Sequence, residues 1–318
     1  MTHFIGRVCG RKSGDAQTMF LRFGITALEF QAVAEKVVVN GVPDFSRLDV
    51  VDIARDAASD NYSVIELTMD ANHIIPGSLT SESIDRLIDL KEEIGHTYTV
   101  HLPFWSVELA SFNRHVRMGG VASTIEAIEL AKPLEPETYV LHATGDLAAD
   151  FSSLNYGANL VRLISTLLGG FAAASLEDIL SKTEINPHDL AIENVEFPFD
   201  IMRDVIDDLD TSICFDTAHL LSRMSGTESV MDFYTTHRDR IIEIHLQDAT
   251  YKEYEGAIAR EDHIALGRGI MGTEMLREFL LELVKDRFDG PIIFELTRNE
   301  AIESLAHIRK VVPEVLVA

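Results

Sequence analysis

The chain has 318 residues, 46% of them hydrophobic, and 52 acidic against 27 basic side chains give a formal charge of −25. That length buries a sizeable core, and an acidic excess spread along the chain repels a nucleic-acid backbone, which is bound chiefly by lysine and arginine. No run approaches the roughly eighteen apolar residues of a membrane span, the N-terminus lacks a secretory segment, and Cys9 and Cys214 make a disulfide framework unexpected; a soluble, cytoplasmic protein is expected.

Residues 1–18 show no sustained periodicity and are expected to be a leader, with a single domain over 19–318. Eight short, β-prone apolar runs follow: MFLRFGIT (19–26), SVIELTM (63–69), TYTVHL (97–102), TYVLHA (138–143), LAIEN (190–194), SICFDT (212–217), IIEIHLQ (241–247) and PIIFELT (291–297). Amphipathic, helix-like segments lie between them. SESIDRLIDLKEEIG opens on cap-forming serines and stops at Gly95, and VASTIEAIELAKP is ended by Pro133. Strand and helix alternate eight times, which predicts a single (β/α)8 TIM barrel in the α/β class, with a doubly wound open sheet as the competitor.

In such a barrel the active site forms at the C-terminal ends of the strands. Those ends carry Glu66, His101, His142, Glu193, Asp216 with His219, His245 and Glu295, and the segment after the seventh strand adds Glu261, Asp262 and His263. A lone strand histidine is most often a satisfied core residue. The joint placement of five histidines with carboxylates, at strand ends that converge on one axis, points instead to a divalent cation that offsets the gathered charge. Imidazole mixed with carboxylate suits zinc, manganese, iron or cobalt, and so many donors suit more than one ion.

These segments together resemble the xylose isomerase-like barrel superfamily, which includes apurinic endonuclease family 2 and the sugar (phosphate) isomerases and epimerases. VHLPFWSVELAS, LHATG, IENVEFP, CFDTAHLL, IHLQDA and FELT carry the resemblance. It implies His101, His142, Glu193, Asp216, His219, His245, His263 and Glu295 as metal ligands. Aligning DHIALGRG on its glycines puts Glu261 in a ninth position where the family has aspartate, with Asp262 competing for the role.

The isomerase and epimerase branch would use one metal on Glu193, Asp216, His245 and Glu295, the two glutamates moving protons on opposite faces of a sugar. The additional histidines favour a hydrolase whose multinuclear centre, with zinc the first choice and manganese or cobalt the alternatives, activates water toward a phosphodiester. IENVEFPFD, HLPFWSVELAS and AIELAKPLEPETYVLHA also resemble the cobamide-remodelling phosphodiesterases. A small-molecule substrate therefore fits the acidic charge better than DNA does, and a homo-oligomer is compatible with the sequence.

GRGIMG (267–272) matches a dinucleotide fingerprint but follows the seventh strand rather than the first, so a Rossmann site is not expected; two readings stay open there, a phosphate cradle completed by Arg268 and Arg298 or two ordinary surface arginines. Trp105 is positioned to stack on a flat ligand, or to pack over the barrel mouth. Glu66 is expected either to support a ligand histidine or simply to end the second strand.

Overall fold

The computed structural model describes residues 21–27, 30–60, 62–154, 157–254 and 257–316, so the expected leader at 1–18 lies outside the described residues. Eight parallel strands form the barrel: β1 (Arg22–Thr26), β2 (Val64–Thr68), β3 (Thr97–His101), β4 (Tyr139–Leu141), β5 (Leu190–Glu193), β6 (Ser212–Asp216), β7 (Ile241–His245) and β8 (Pro291–Phe294). Each falls within one of the apolar runs of the sequence. The ring closes where β1 pairs with both β2 and β8.

Alternation along each strand sorts the side chains. Phe23 and Ile25, Ile65 and Leu67, Tyr98 and Val100, Phe215 and Phe294 join the layer between strands and helices, which holds the main apolar core. The barrel axis is different: a small cluster of Val140, Ala191 and Cys214 is its apolar plug. Gly24 allows β1 to sit tightly there, because a Cβ would lie 2.5 Å from Ile293 Cδ1 and 2.6 Å from the Val64 carbonyl oxygen.

Below the plug, Arg22 on β1 donates to both carboxylate oxygens of Glu137 (2.7 and 2.6 Å) and to Thr97 Oγ1 (2.9 Å). Burial pushes the Glu137 carboxyl up, but the bonds from Arg22 and Thr97 bring it below the usual range. The floor of the barrel is thus self-neutralised.

Two features depart from the sequence reading. The segment after β7 is an antiparallel hairpin, Asp248–Tyr254 with Ala257–Ile264, whose register shifts between Asp248 and Thr250. Against the expectation that no segment approaches a membrane span, the helix Ala158–Thr183 is long and apolar enough to cross a membrane. Here it lies along the barrel with Leu168, Ala172, Leu176 and Ile179 buried. Gly169 lets it approach the helix Phe199–Leu209, since a Cβ there would meet Ile201.

Candidate metal centre

Parallel register brings the strand ends to one level. Asp216 and His245 are paired neighbours on β6 and β7, Thr68 pairs with His101, and Glu193 pairs with Cys214. Above them the hairpin folds back so that Asp262 and His263 cover the mouth. His263 holds a left-handed backbone (φ 52°), a conformation costing about 1–3 kcal/mol that only a firm surrounding maintains.

Glu193 is the hub. Its Oε2 lies 3.3 Å from His101 Nε2 and 2.9 Å from His142 Nε2, and its Oε1 lies 3.3 Å from His219 Nδ1 and 3.6 Å from His245 Nδ1. Glu295 Oε2 stands 3.0 Å from His245 Nδ1 and 3.2 Å from His263 Nε2. Among the described residues five donor groups lie within 4.8 Å; three of them overlap at the rim, namely His101, His142 and Glu193, then Glu193, Asp216, His245 and Glu295, then Asp216, His219 and His263, while Glu193, Cys214 and His245 and Glu66, Glu243 and His245 are the other two. Of the three at the rim, Glu193 belongs to the first two and Asp216 to the last two.

Asp216 answers why a buried strand ends in a carboxylate. Its Oδ1 accepts from His219 N at 2.6 Å and caps the short helix Thr217–Leu221, while its Oδ2 accepts from Gln247 Nε2 at 2.6 Å. Asn194 locks the same turn, accepting from Asp216 N (2.7 Å) and donating to Asp216 O (2.9 Å). The cap fixes where His219 emerges.

Cations fit the buried atoms that are left without partners at the mouth. Glu193 Oε1, His219 Nδ1 and His245 Nδ1 are buried without a hydrogen bond, and such atoms are rare unless a ligand or water satisfies them. Burial opposes charge on the imidazoles, yet the surrounding carboxylates, Glu193 and Glu295 foremost, push His101 up to about 9. Asp216 and Glu193 similarly push His219 up to about 8. Burial keeps His142 below the usual histidine value. Burial likewise works against Glu193, but His142 and His245 hold it well below the carboxylate range. Nitrogen and oxygen donors in these numbers fit divalent transition metals.

A second layer supports the first. Glu243, His245 and Gln247 lie two residues apart on β7 and its continuation, and all three are buried. Glu66 Oε2 sits 3.3 Å and Glu243 Oε1 3.8 Å from His245 Nε2, which leaves Nδ1 turned to the cluster. Glu66 also accepts from Thr26 Oγ1 at 2.8 Å. Of the two roles open to Glu66 in the sequence, support of a ligand histidine is the one its position matches. Gln247, which bonds Asp216 and accepts from Glu295 N at 3.0 Å, is a site residue that the sequence reading misses, although two-residue spacing from His245 is its signal.

Three expected residues lie elsewhere. Glu261 is exposed on the hairpin opposite Thr250, because strand alternation turns it away when Asp262 turns inward. Asp262 takes the position, 3.7 Å from His219 Nε2 and 3.3 Å from His263 Nδ1. Arg268 pairs with Glu303 and Glu300 on the surface, and Arg298 donates to Asp60 at 2.5 and 2.8 Å. Nor is GRGIMG a phosphate cradle. Asp248 fills it, its Oδ2 accepting from Gly267 N (3.1 Å) and Gly269 N (2.9 Å) and its Oδ1 from Met271 N (2.9 Å). Trp105 is 46% exposed at the rim of a cavity that also touches Glu295 and His263.

The family profile described as xylose isomerase-like TIM barrel matches residues 54–311. Among solved structures, a D-tagatose 3-epimerase-like protein is 20% identical with a TM-score of 0.65, covering 93% of this chain and 98% of its own. Endonuclease IV from Thermus thermophilus is 15% identical with a TM-score of 0.65, covering 92% and 99%. The TTHB071 protein of the same organism, soaked with ZnCl2, is 20% identical with a TM-score of 0.57, covering 83% and 96%. No curated protein matches significantly. At these identities the structures speak for the fold alone, and with the profile spanning most of the sequence, the chain belongs to the xylose isomerase-like TIM barrel family.

Proposed function

We propose that the protein is a metal-dependent hydrolase of a small-molecule phosphodiester, the nucleotide loop of a cobamide being one substrate of that class. The observation that carries this reading is the three overlapping donor groups joined by Glu193 and Asp216. A single-metal isomerase needs only the middle group for its metal and leaves His101, His142, His219 and His263 to bind substrate hydroxyls. Divalent ions bound there, zinc first among them, supply activation of water and neutralisation of the charge on attacking and leaving oxygens.

The chain's own residues prepare that chemistry. Glu193 and Asp216 each present their two oxygens in different directions, which sets the spacing of neighbouring donors. Glu66 and Gln247 hold His245 and Asp216 in orientation, so that little reorganisation accompanies reaction. Asp262 and His263 close the mouth on the solvent side. A charge of −25, and a cavity lined by no lysine or arginine among the described residues, support a small ligand over a nucleic acid.

The second reading, a sugar or sugar-phosphate isomerase or epimerase, draws on Glu193 and Glu295 standing together beside His245 Nδ1, at 3.6 and 3.0 Å. One experiment separates the two: incubate the zinc- and manganese-loaded protein with bis(4-nitrophenyl) phosphate and, in parallel, with ketohexoses in deuterated water. Release of 4-nitrophenol that requires His142 supports the hydrolase. Deuterium entry at a sugar carbon without diester cleavage replaces it with the epimerase.

A further inference from the structure

A cavity of 380 Å³ opens beside the donor cluster, within the range of small-molecule sites. Glu295 and His263 form its inner wall. The outer walls come from the segments after β1, β2 and β3 and are apolar: Leu48, Ile74, Ile75, Phe104 and Trp105. Ile74 is 48% and Trp105 46% exposed, so large hydrophobic side chains stand at the rim where water would otherwise meet them.

Besides Glu295 and His263 the lining has three polar residues, Thr26, Thr68 and Asp70, and two of them are committed. Asp70 accepts from the backbone N–H of Phe104 (3.0 Å) and of Trp105 (3.1 Å), and so fixes the segment that presents both rings. Thr26 donates to Glu66 at 2.8 Å. A sugar placed here would surrender water at several hydroxyls and find few partners, which opposes binding. A flat apolar ring would instead lose only unfavourable hydration. Phe104 and Trp105 stand with centroids 5.9 Å apart and planes at 71°, two faces of an aromatic corner.

We infer that the substrate carries a planar, apolar ring system that seats between Ile74, Phe104 and Trp105, with its phosphodiester directed toward Glu295 and His263. The inference rests on the hydrolase reading for the phosphodiester, and on the cavity alone for the ring.

Trp105 is the chain's only tryptophan and therefore reports on the cavity directly. The metal-loaded protein is titrated with phenylphosphonate and with methylphosphonate, and tryptophan emission and calorimetric affinity are read. The phenyl compound is expected to bind about tenfold or more tightly, the value of burying one ring, and to change Trp105 emission. Ile74→Asn, at a half-exposed position that the fold does not depend on, is expected to remove most of that preference. Equal affinities for the pair, or an aromatic preference that survives Ile74→Asn with no change in Trp105 emission, overturn the inference. 4-Nitrophenol, which carries no phosphonate, reads the cavity by itself. If it alters Trp105 emission while bis(4-nitrophenyl) phosphate is never cleaved, the ring site stands and the hydrolase reading falls. Cleavage without aromatic preference has the reverse meaning.

Discussion

At the floor of the barrel Arg22 and Glu137 meet through two hydrogen bonds, and Thr97 takes a third. At the mouth Glu193, Asp216, Asp262 and Glu295 face five imidazoles, and Glu193 Oε1, His219 Nδ1 and His245 Nδ1 have no hydrogen bond. Both ends gather charge on strands that the sequence holds far apart. The floor supplies its own counterion in a planar, two-pronged pair and is complete with protein alone. The mouth gathers more donors than the chain can satisfy, which is the condition for cations to contribute both stability and chemistry.

The widest separation of the two ends should come from Glu193→Gln. The side chain keeps its size but loses a charge shared by two donor groups, so diester hydrolysis is expected to fall at least about 100-fold, the scale of one lost electrostatic contact. Steady-state rates at saturating metal check this, and a near-normal rate would show the hub to be dispensable. Glu66→Gln acts one layer deeper. Because Glu66 Oε2 lies 3.3 Å from His245 Nε2, metal affinity should weaken by about 10–100-fold, read by competition with a chromophoric chelator, while the far-ultraviolet circular dichroism stays unchanged.

Metal removal acts on stability. With free metal at about 100 times its dissociation constant, the folded state should gain about 2.7 kcal/mol over the chelated protein, seen as a concentration-dependent rise in the thermal midpoint. A midpoint indifferent to metal would place the mouth in the same class as the floor. The smallest effect belongs to Glu137→Gln: about 1 kcal/mol at neutral pH, equal in the metal-loaded and chelated protein because the two ends share no partner. Glu137 has a lowered folded-state pKa, so its contribution is present above the ordinary glutamate value and is lost as pH falls through the folded one. The difference between wild type and variant should shrink as the pH is taken down through the acid range, and a difference that grew there would contradict the pairing.

Much of this is legible in the sequence because it rests on periodicity. The eight strands announce themselves as apolar runs, and a polar residue ending such a run has few explanations. His101, His142, Glu193, Asp216, His245 and Glu295 lie within the runs and so converge on one rim, whereas His219 and His263 lie beyond them and are implied by the family resemblance. What escapes the pattern depends on conformation between the runs. The hairpin after β7 decides that Asp262 rather than Glu261 turns inward, a one-residue choice set by the register shift at Asp248. GRGIMG has the look of an anion loop, and the loop does bind an anion, the carboxylate of Asp248 from 19 residues upstream of Gly267. Arg268 and Arg298 read as ligand groups because their partners, the exposed Glu303 and the part-buried Asp60, carry no sequence signature of pairing. The Arg22–Glu137 pair spans 115 residues and is invisible for the same reason.

Metal content per chain, measured by elemental analysis of protein purified without chelator or immobilised metal and then supplied with zinc, decides whether the mouth holds several ions or one. Two or three ions per chain, falling by one in His142→Ala, is the predicted result. One ion per chain in both proteins would contradict it and leave the middle donor group alone as the metal site.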